Sequence, residues 1–167
     1  MNIEFLIAFP VLLASPPGEA VERIETKKGE TAMRIMAIDY GDARIGLAVS
    51  DLTGILCGEA WTMEEWNMER ASKRIAEEAA KRDVGTLVLG LPKNMDGTEG
   101  PRAEKSRAFA QLLRDESGLE VVLWDERRSS IEAHAILHAA GKKEKIHRRT
   151  VDAVAASLIL EGYLGRR

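Results

Sequence analysis

The sequence predicts an α/β fold in which helices cover a single mixed β-sheet. Apolar stretches with the length of strands alternate along the chain with amphipathic helical segments, a pattern that implies parallel pairing and layers of helix on sheet. The first two strands are joined by so short a connection that they form an antiparallel hairpin, which makes the sheet mixed. At 167 residues, with 45% hydrophobic residues, the chain suits one domain with a sizeable core.

The first half of the predicted sheet is this hairpin followed by a third strand. Arg34 to Ile38 forms the first strand, and Ile45 to Ser50 follows after the tight segment Gly41 to Arg44. Residues Ile55 to Trp61 add the third strand. A helix then covers Glu64 to Arg82, with acidic residues early and basic residues late, as the helix macrodipole favours.

The second half alternates strands with helices. Val84 to Leu91 is largely apolar, as in a strand buried on both faces. The other predicted elements are a helix Arg102–Ser117 ended by Gly118, a strand Leu119–Trp124, a helix from Ser129 or Ser130 to Ala140, and a helix Thr150–Leu164. A mixed five-stranded sheet flanked by helices in this order is the ribonuclease H-like layout.

The first 32 residues differ in character from the rest. Ile3 to Ala14 is apolar, and a charged run covers Glu19 to Glu30. We interpret residues 1–32 as an N-terminal extension, either disordered or a start-site artefact, and residues 33–167 as the folded domain. The apolar stretch lacks a basic start, contains Pro10 and is too short to span a bilayer as a helix. We therefore expect a cytoplasmic protein without a membrane partner, and the single Cys57 fits a reducing compartment.

Three acidic residues stand at the ends of predicted core elements: Asp39 after the first strand, Glu126 after the last strand, and Asp152 in the first turn of the last helix. A turn or a helix cap explains each one singly. As a set they are more informative, because a carboxylate there costs desolvation energy unless it is paired, hydrogen-bonded or metal-bound. Mg²⁺ or Mn²⁺ takes carboxylate oxygens and activates water against a phosphodiester. The set predicts a metal-dependent nuclease.

The middle acid of this set has two alternatives. Period-two alternation sends Asp125 and Glu126 to opposite faces of the sheet, so only one of them joins a given site. Asp96 could instead approach Asp39 from the loop after the Val84–Leu91 strand. We prefer Glu126.

Basic residues adjoin the acidic positions and would hold an anionic substrate. The net charge of −3 gives no global attraction to nucleic acid, so local groups must supply it. Such groups orient a phosphate backbone without reading its sequence, although a solvated surface is the competing explanation. The candidates for substrate contact are Lys93, Asn94, Arg102, Arg127, Lys145 and Arg149.

Several segments resemble the signatures of the YqgF/RuvX family, in the same order along the chain. Met36–Gly41 and Arg44–Asp51 resemble its first signature, and Gly90–Thr98, Asp125–Arg127 and Thr150–Asp152 resemble the later ones. The match runs from residue 33 to about residue 164. It departs from the family pattern at residues 128–130, where Arg-Ser-Ser replaces an apolar residue and two threonines.

The resemblance implies a ribonuclease H-like endonuclease that matures the 5′ end of pre-16S ribosomal RNA, with Asp39, Glu126 and Asp152 as metal-binding acids. It also carries an older label, Holliday junction resolvase homologue, so branched DNA is an alternative substrate. A noncatalytic RNA-binding or ribosome-assembly module is a third reading. Sugar-kinase and actin-type ATPases share a similar Asp-x-Gly start, but their nucleotide cleft needs two such domains. No coiled-coil seam is legible, so we expect a monomer or weak homodimer.

Overall fold

The computed structural model describes residues 33–125 and 147–166, which form a five-stranded sheet with helices on both faces. The strands are β1 (Arg34–Tyr40), β2 (Arg44–Ser50), β3 (Cys57–Glu64), β4 (Val84–Leu91) and β5 (Glu120–Asp125). The described helices are α1 (Met68–Lys81), α2 (Pro101–Ser117) and α3 (His147–Leu164).

The strand order is β3-β2-β1-β4-β5. Pairing is antiparallel between β1 and β2 and between β2 and β3, and parallel between β1 and β4 and between β4 and β5. The predicted mixed five-stranded sheet is therefore confirmed. None of the helices within the two described ranges is long and apolar enough to cross a membrane.

Each face of the sheet carries its own apolar layer. The side chains of β1 alternate between the two: Met36 and Ile38 pack under α1 and α2, whereas Ile35 and Ala37 pack under α3. Helix α3 contributes the buried residues Ala156, Ile159 and Leu160 to its layer. The alternation continues to the end of β1, where it decides which face each polar side chain meets.

The predicted boundary between the third strand and the first helix was wrong by several residues. Strand β3 runs on to Glu64, which pairs with Arg44 in the ladder to β2, so Glu64 is not helical. Helix α1 starts only after Asn67, whose side-chain oxygen accepts a hydrogen bond from the Arg70 backbone N–H at 2.8 Å. Long-range strand pairing thus overrides local helix propensity here.

Helix α3 starts at His147, three residues before its predicted start. The predicted extension, residues 1–32, and the predicted helix from Ser129 or Ser130 to Ala140 lie outside the described residues.

Candidate active site

Asp39 is the next-to-last residue of β1, and strand geometry determines which way it points. Ile35 and Ala37 face α3, so the period of two sends Asp39 to that same face. The residue is partly buried. A carboxylate is thus placed at the edge of an apolar layer, with an opening to solvent.

Gly46 explains how the last helix reaches Asp39. Gly46 lies directly opposite Asp39 in the β1–β2 ladder, so both positions face α3. A Cβ at Gly46 would lie 1.9 Å from the carbonyl oxygen of Asp152 and 3.3 Å from the Cβ of Ala156. Only glycine allows the helix backbone so close to β2. The first turns of α3 are thereby brought next to the end of β1.

The charge of Asp152 affects Asp39 electrostatically. The pKa of Asp39 is raised from 3.8 to about 6, chiefly because burial disfavours the charged form and also because of the negative charge of Asp152. The guanidinium of Arg102 acts in the opposite direction. Asp39 and Asp152 lie on the same side of the sheet, because Gly46, the ladder partner of Asp39, meets the backbone of Asp152.

Arg44 forms an ion pair with Asp152. Its Nε lies 3.1 Å from Asp152 Oδ2, but the two atoms are not aligned as a hydrogen bond, and both are buried without a hydrogen-bond partner. Burial raises the pKa of Asp152, and Arg44 lowers it. Asp152 Oδ2 thus has charge compensation from Arg44, in an ion pair without an aligned hydrogen bond.

These features fit a hard divalent cation. Asp152 Oδ2 is buried with an ion pair but no aligned hydrogen bond, and burial destabilises the charged form of Asp39; a bound cation would relieve both. Within residues 33–125 and 147–166, no group of three or more acidic, histidine or cysteine side chains is arranged to hold a metal ion. The predicted third acid, Glu126, lies outside these ranges.

The two alternatives to Glu126 are described, and neither shares the environment of Asp39. Asp96 is exposed, and its Oδ1 accepts hydrogen bonds from the backbone N–H and the hydroxyl of Thr98, at 2.9 Å and 2.6 Å. Strand β5 places Val122 and Trp124 on the α3 face and Leu123 on the opposite face. Alternation therefore directs Asp125 away from the face of Asp39.

The predicted substrate-contact residues separate into groups. Arg102 is exposed and close enough to Asp39 to affect its pKa. Lys93 Nζ instead lies 3.7 Å from Glu99 Oε1, and Asn94 Nδ2 donates to the Thr98 hydroxyl at 2.8 Å, so both side chains make contacts within their own loop. Arg127, Lys145 and the side chain of Arg149 lie outside the described part of the chain.

Sequence reasoning passed over Arg44 as a site residue. The sequence places Arg44 at the end of the hairpin connection and in the first signature, whereas in the structure its guanidinium reaches Asp152. A usable signal existed, since Arg44 is two residues from Gly46 and the period of two puts both on one face. The contact itself depends on the long-range packing of α3.

Comparison with solved structures defines the fold. The fold resembles T. thermophilus RuvC in complex with a Holliday junction substrate, with a TM-score of 0.52, 13% identity, and 80% of this chain and 96% of that chain covered. It also resembles the fowlpox virus Holliday junction resolvase, with a TM-score of 0.51, 18% identity, and coverage of 81% and 100%. The chain thus has the ribonuclease H-like fold of the resolvases, as predicted.

The family follows from sequence. A family described as "RuvX: Holliday junction resolvase" matches residues 33–166, and the chain belongs to it. A relative from Halothermothrix orenii is 42% identical over 132 residues, covering 79% of this chain and 94% of its own length. A relative from Myxococcus xanthus is also 42% identical over 132 residues, with coverage of 79% and 87%. Both are named "Putative pre-16S rRNA nuclease". The prediction of a nuclease, a hydrolase of phosphodiester bonds, is confirmed.

Proposed function

We propose that the protein is a metal-dependent endonuclease that cleaves structured RNA and matures the 5′ end of pre-16S ribosomal RNA in the cytoplasm. The observation that carries the proposal is the position of Asp39 and Asp152, which come from the first strand and the last described helix to the same face of the sheet. The names of the relatives from Halothermothrix orenii and Myxococcus xanthus support the choice of substrate.

Glu126 is our proposal for the third acid. In β5 the residues Val122 and Trp124 face α3, so the same alternation continued by two residues favours position 126 over position 125 on the Asp39 side. A glutamate also has the longer side chain, which suits a position two strands away from β1 in the order β1-β4-β5.

Asp39, Glu126 and Asp152 would together hold Mg²⁺ or Mn²⁺. The bound ion supplies the activated water and stabilises charge on the leaving oxygen of the phosphodiester. Arg102, beside Asp39, would contact the substrate phosphate and offset its charge. The other proposed substrate contacts are Lys93, Asn94, Arg127, Lys145 and Arg149.

The test is a cleavage assay on two matched substrates, an RNA that carries the 5′ flank of 16S rRNA and a four-way DNA junction. Each is incubated with the protein in Mg²⁺, in Mn²⁺ or in EDTA. We expect metal-dependent cleavage of the RNA, and we expect Asp39→Asn to reduce the rate at least about a hundredfold, since the variant loses a metal ligand. Asp115→Asn is the matched control, because Asp115 is an exposed residue of α2 on the opposite face.

Each alternative function has its own outcome in this assay. Cleavage of the junction in place of the RNA would replace the proposed substrate with branched DNA, which the family description favours. RNA binding without cleavage in either metal would indicate a noncatalytic module. If Asp39→Asn cleaves at the wild-type rate, Asp39 is not a ligand of the catalytic metal.

A further inference from the structure

A shallow depression lies next to the Asp39 site, on the other face of the sheet. The empty space in and directly above it is about 250 Å³, part of it open solvent, and it opens where β1 ends and α2 begins. The residues that line it come from the end of β1, the β1–β2 turn, the end of β4 and the first turns of α2: Tyr40, Asp42, Pro92, Arg102, Lys105 and Ser106.

The inner wall of the depression is fixed by packing. The ring of Tyr40 stacks on Phe109 with the centroids 4.3 Å apart and an interplanar angle of 27°, and Phe109 is fully buried. The Ser106 hydroxyl donates to the carbonyl oxygen of Arg102 at 3.1 Å, within the first turns of α2. The depression thus has a preformed shape, which favours ligand binding because little ordering is needed.

The rim of the depression carries two cations and one carboxylate. Arg102 and Lys105 are exposed and three residues apart on α2, so they lie on the same side of the helix. Lys105 Nζ lies 2.8 Å from Asp42 Oδ1. Hydrogen bonding to Lys105 and the charge of that residue lower the pKa of Asp42, so the carboxylate is ionised. Asp42 therefore holds Lys105 in a surface ion pair, whose side chains are 54% and 74% exposed for Lys105 and Asp42.

Arg102 lines the depression and also lies near Asp39, the last but one residue of β1. The guanidinium of Arg102 lowers the pKa of Asp39 on one side and that of Asp42 on the other. Tyr40 follows Asp39 directly in β1, so the two side chains lie on opposite faces at the end of this strand. A nucleic-acid strand that approaches Asp39 across this end of β1 therefore passes over Arg102 and Lys105.

We propose that the depression is a phosphate-binding subsite for the nucleic-acid strand, in which Arg102 and Lys105 contact a backbone phosphate next to the one that is cleaved. Before the strand binds, Asp42 forms an ion pair with Lys105. An exposed ion pair is weak, so a phosphate that meets two cations displaces the carboxylate. The inference rests on the proposed nuclease function, since it assumes that a strand enters the site of Asp39 and Asp152.

The test measures binding without cleavage. All variants carry Asp39→Asn, metal is omitted, and the probe is a fluorescently labelled RNA with the 5′ flank of 16S rRNA, followed by anisotropy over a range of salt concentrations. We expect Lys105→Gln to weaken binding about three- to tenfold at low salt and to reduce the slope of log K against log[salt] by about 1, since one phosphate contact is lost. We expect Asp42→Asn to tighten binding about two- to fivefold, because Lys105 is released.

The double variant distinguishes binding at the subsite from a general effect of net charge on affinity. If Asp42 acts only through Lys105, the double variant Asp42→Asn/Lys105→Gln binds like Lys105→Gln alone, and the two effects do not add. Lys81→Gln is the matched control. Lys81 is 63% exposed and pairs with Glu78 at 2.9 Å, but it lies at the end of α1, away from the depression. We expect it to leave the affinity and the salt slope unchanged.

Two failures can be told apart. If the wild type cleaves neither the RNA nor a DNA junction in Mg²⁺ or Mn²⁺, the proposed nuclease function is itself overturned. If the wild type cleaves the RNA, but Lys105→Gln binds it like Lys81→Gln and Asp42→Asn has no effect on binding, the subsite is refuted while the nuclease proposal stands.

Discussion

Gly46 and Asp152 are in contact through their backbones: a Cβ on Gly46 would lie 1.9 Å from the carbonyl oxygen of Asp152. Because Gly46 is the ladder partner of Asp39, this contact sets the position of the helix carboxylate relative to the strand carboxylate. The acidic pair therefore depends on a residue that has no side chain.

Gly46→Ala tests this dependence. The added methyl group meets helix backbone, which cannot move aside as the end of a flexible side chain can, so α3 must shift. We expect a loss of about 1–3 kcal/mol in the free energy of unfolding, measured with denaturant, and a large loss of cleavage even where the protein is folded. Gly100→Ala is the control, since its Cβ would meet only Asn94 Nδ2 at 4.0 Å. Full activity in a folded Gly46→Ala protein would contradict the positional role of Gly46.

The raised pKa of Asp39 predicts how stability depends on pH without metal. The folded state keeps the proton of Asp39 up to about pH 6, whereas the unfolded chain loses it near 3.8, so the folded state binds more protons between these values. The stability from this group is fully present below pH 3.8 and is lost as pH rises through about 6. The loss is at most about 3 kcal/mol, at about 1.4 kcal/mol per pKa unit.

Asp39→Asn removes this titration. We expect the variant to match the wild type in stability below pH 3.8 and to be more stable at pH 7.5, in denaturant unfolding without metal. Asp115→Asn should show no such pH-dependent gain, because the Asp115 carboxylate is exposed. Parallel stability profiles for wild type and Asp39→Asn would show that burial does not raise the pKa of Asp39.

Arg44 is predicted to weaken metal binding. Its guanidinium lies 3.1 Å from Asp152 Oδ2 and lowers the pKa of that carboxyl group, so it competes with a cation for the same oxygen. We expect Arg44→Gln to bind Mn²⁺ about two- to tenfold more tightly at pH 8, where both acids are ionised, by isothermal titration calorimetry. Arg74→Gln is the control, because Arg74 pairs with Glu65 at 3.4 Å, away from Asp152. Weaker Mn²⁺ binding in Arg44→Gln would indicate that Arg44 mainly orients Asp152.

The third acid can be assigned by a set of three amide variants. We expect Glu126→Gln to reduce cleavage of the pre-16S RNA at least about a hundredfold, because a metal ligand is lost. Asp125→Asn and Asp96→Asn should each retain most of the activity, since β5 alternation sends Asp125 to the other face and Asp96 holds the turn at Thr98. If Asp125→Asn or Asp96→Asn loses most of the cleavage activity while Glu126→Gln stays active, the third acid is that residue and not Glu126.

The sequence predicts the sheet well because its signals are local. The apolar runs at β1, β2 and β4 lie where strands form, and the short hairpin makes the sheet mixed. The end of β3 could not be predicted in this way, because Glu64 is a good helix former and its strand pairing with Arg44 is decided at long range.

The candidate site shows the same difference between local signals and long-range contacts. Asp39 and Asp152 could be chosen from the sequence because each is a carboxylate at the end of a core element. The ion pair of Arg44 with Asp152 could not, since it requires α3 to pack on Gly46. Arg102 could be chosen from the sequence as a substrate contact, but its nearness to Asp39 could not, since that depends on the pairing of β1 with β4, the strand before α2.

Mn²⁺ binding by calorimetry at pH 7.5 tests the central claim most directly, with wild type, Asp39→Asn, Asp152→Asn and the control Asp115→Asn compared under one set of conditions. The account predicts that wild type and Asp115→Asn bind the ion alike, and that each of the other two variants binds it at least about tenfold more weakly. Equal affinity in all four proteins would contradict a metal site built on Asp39 and Asp152.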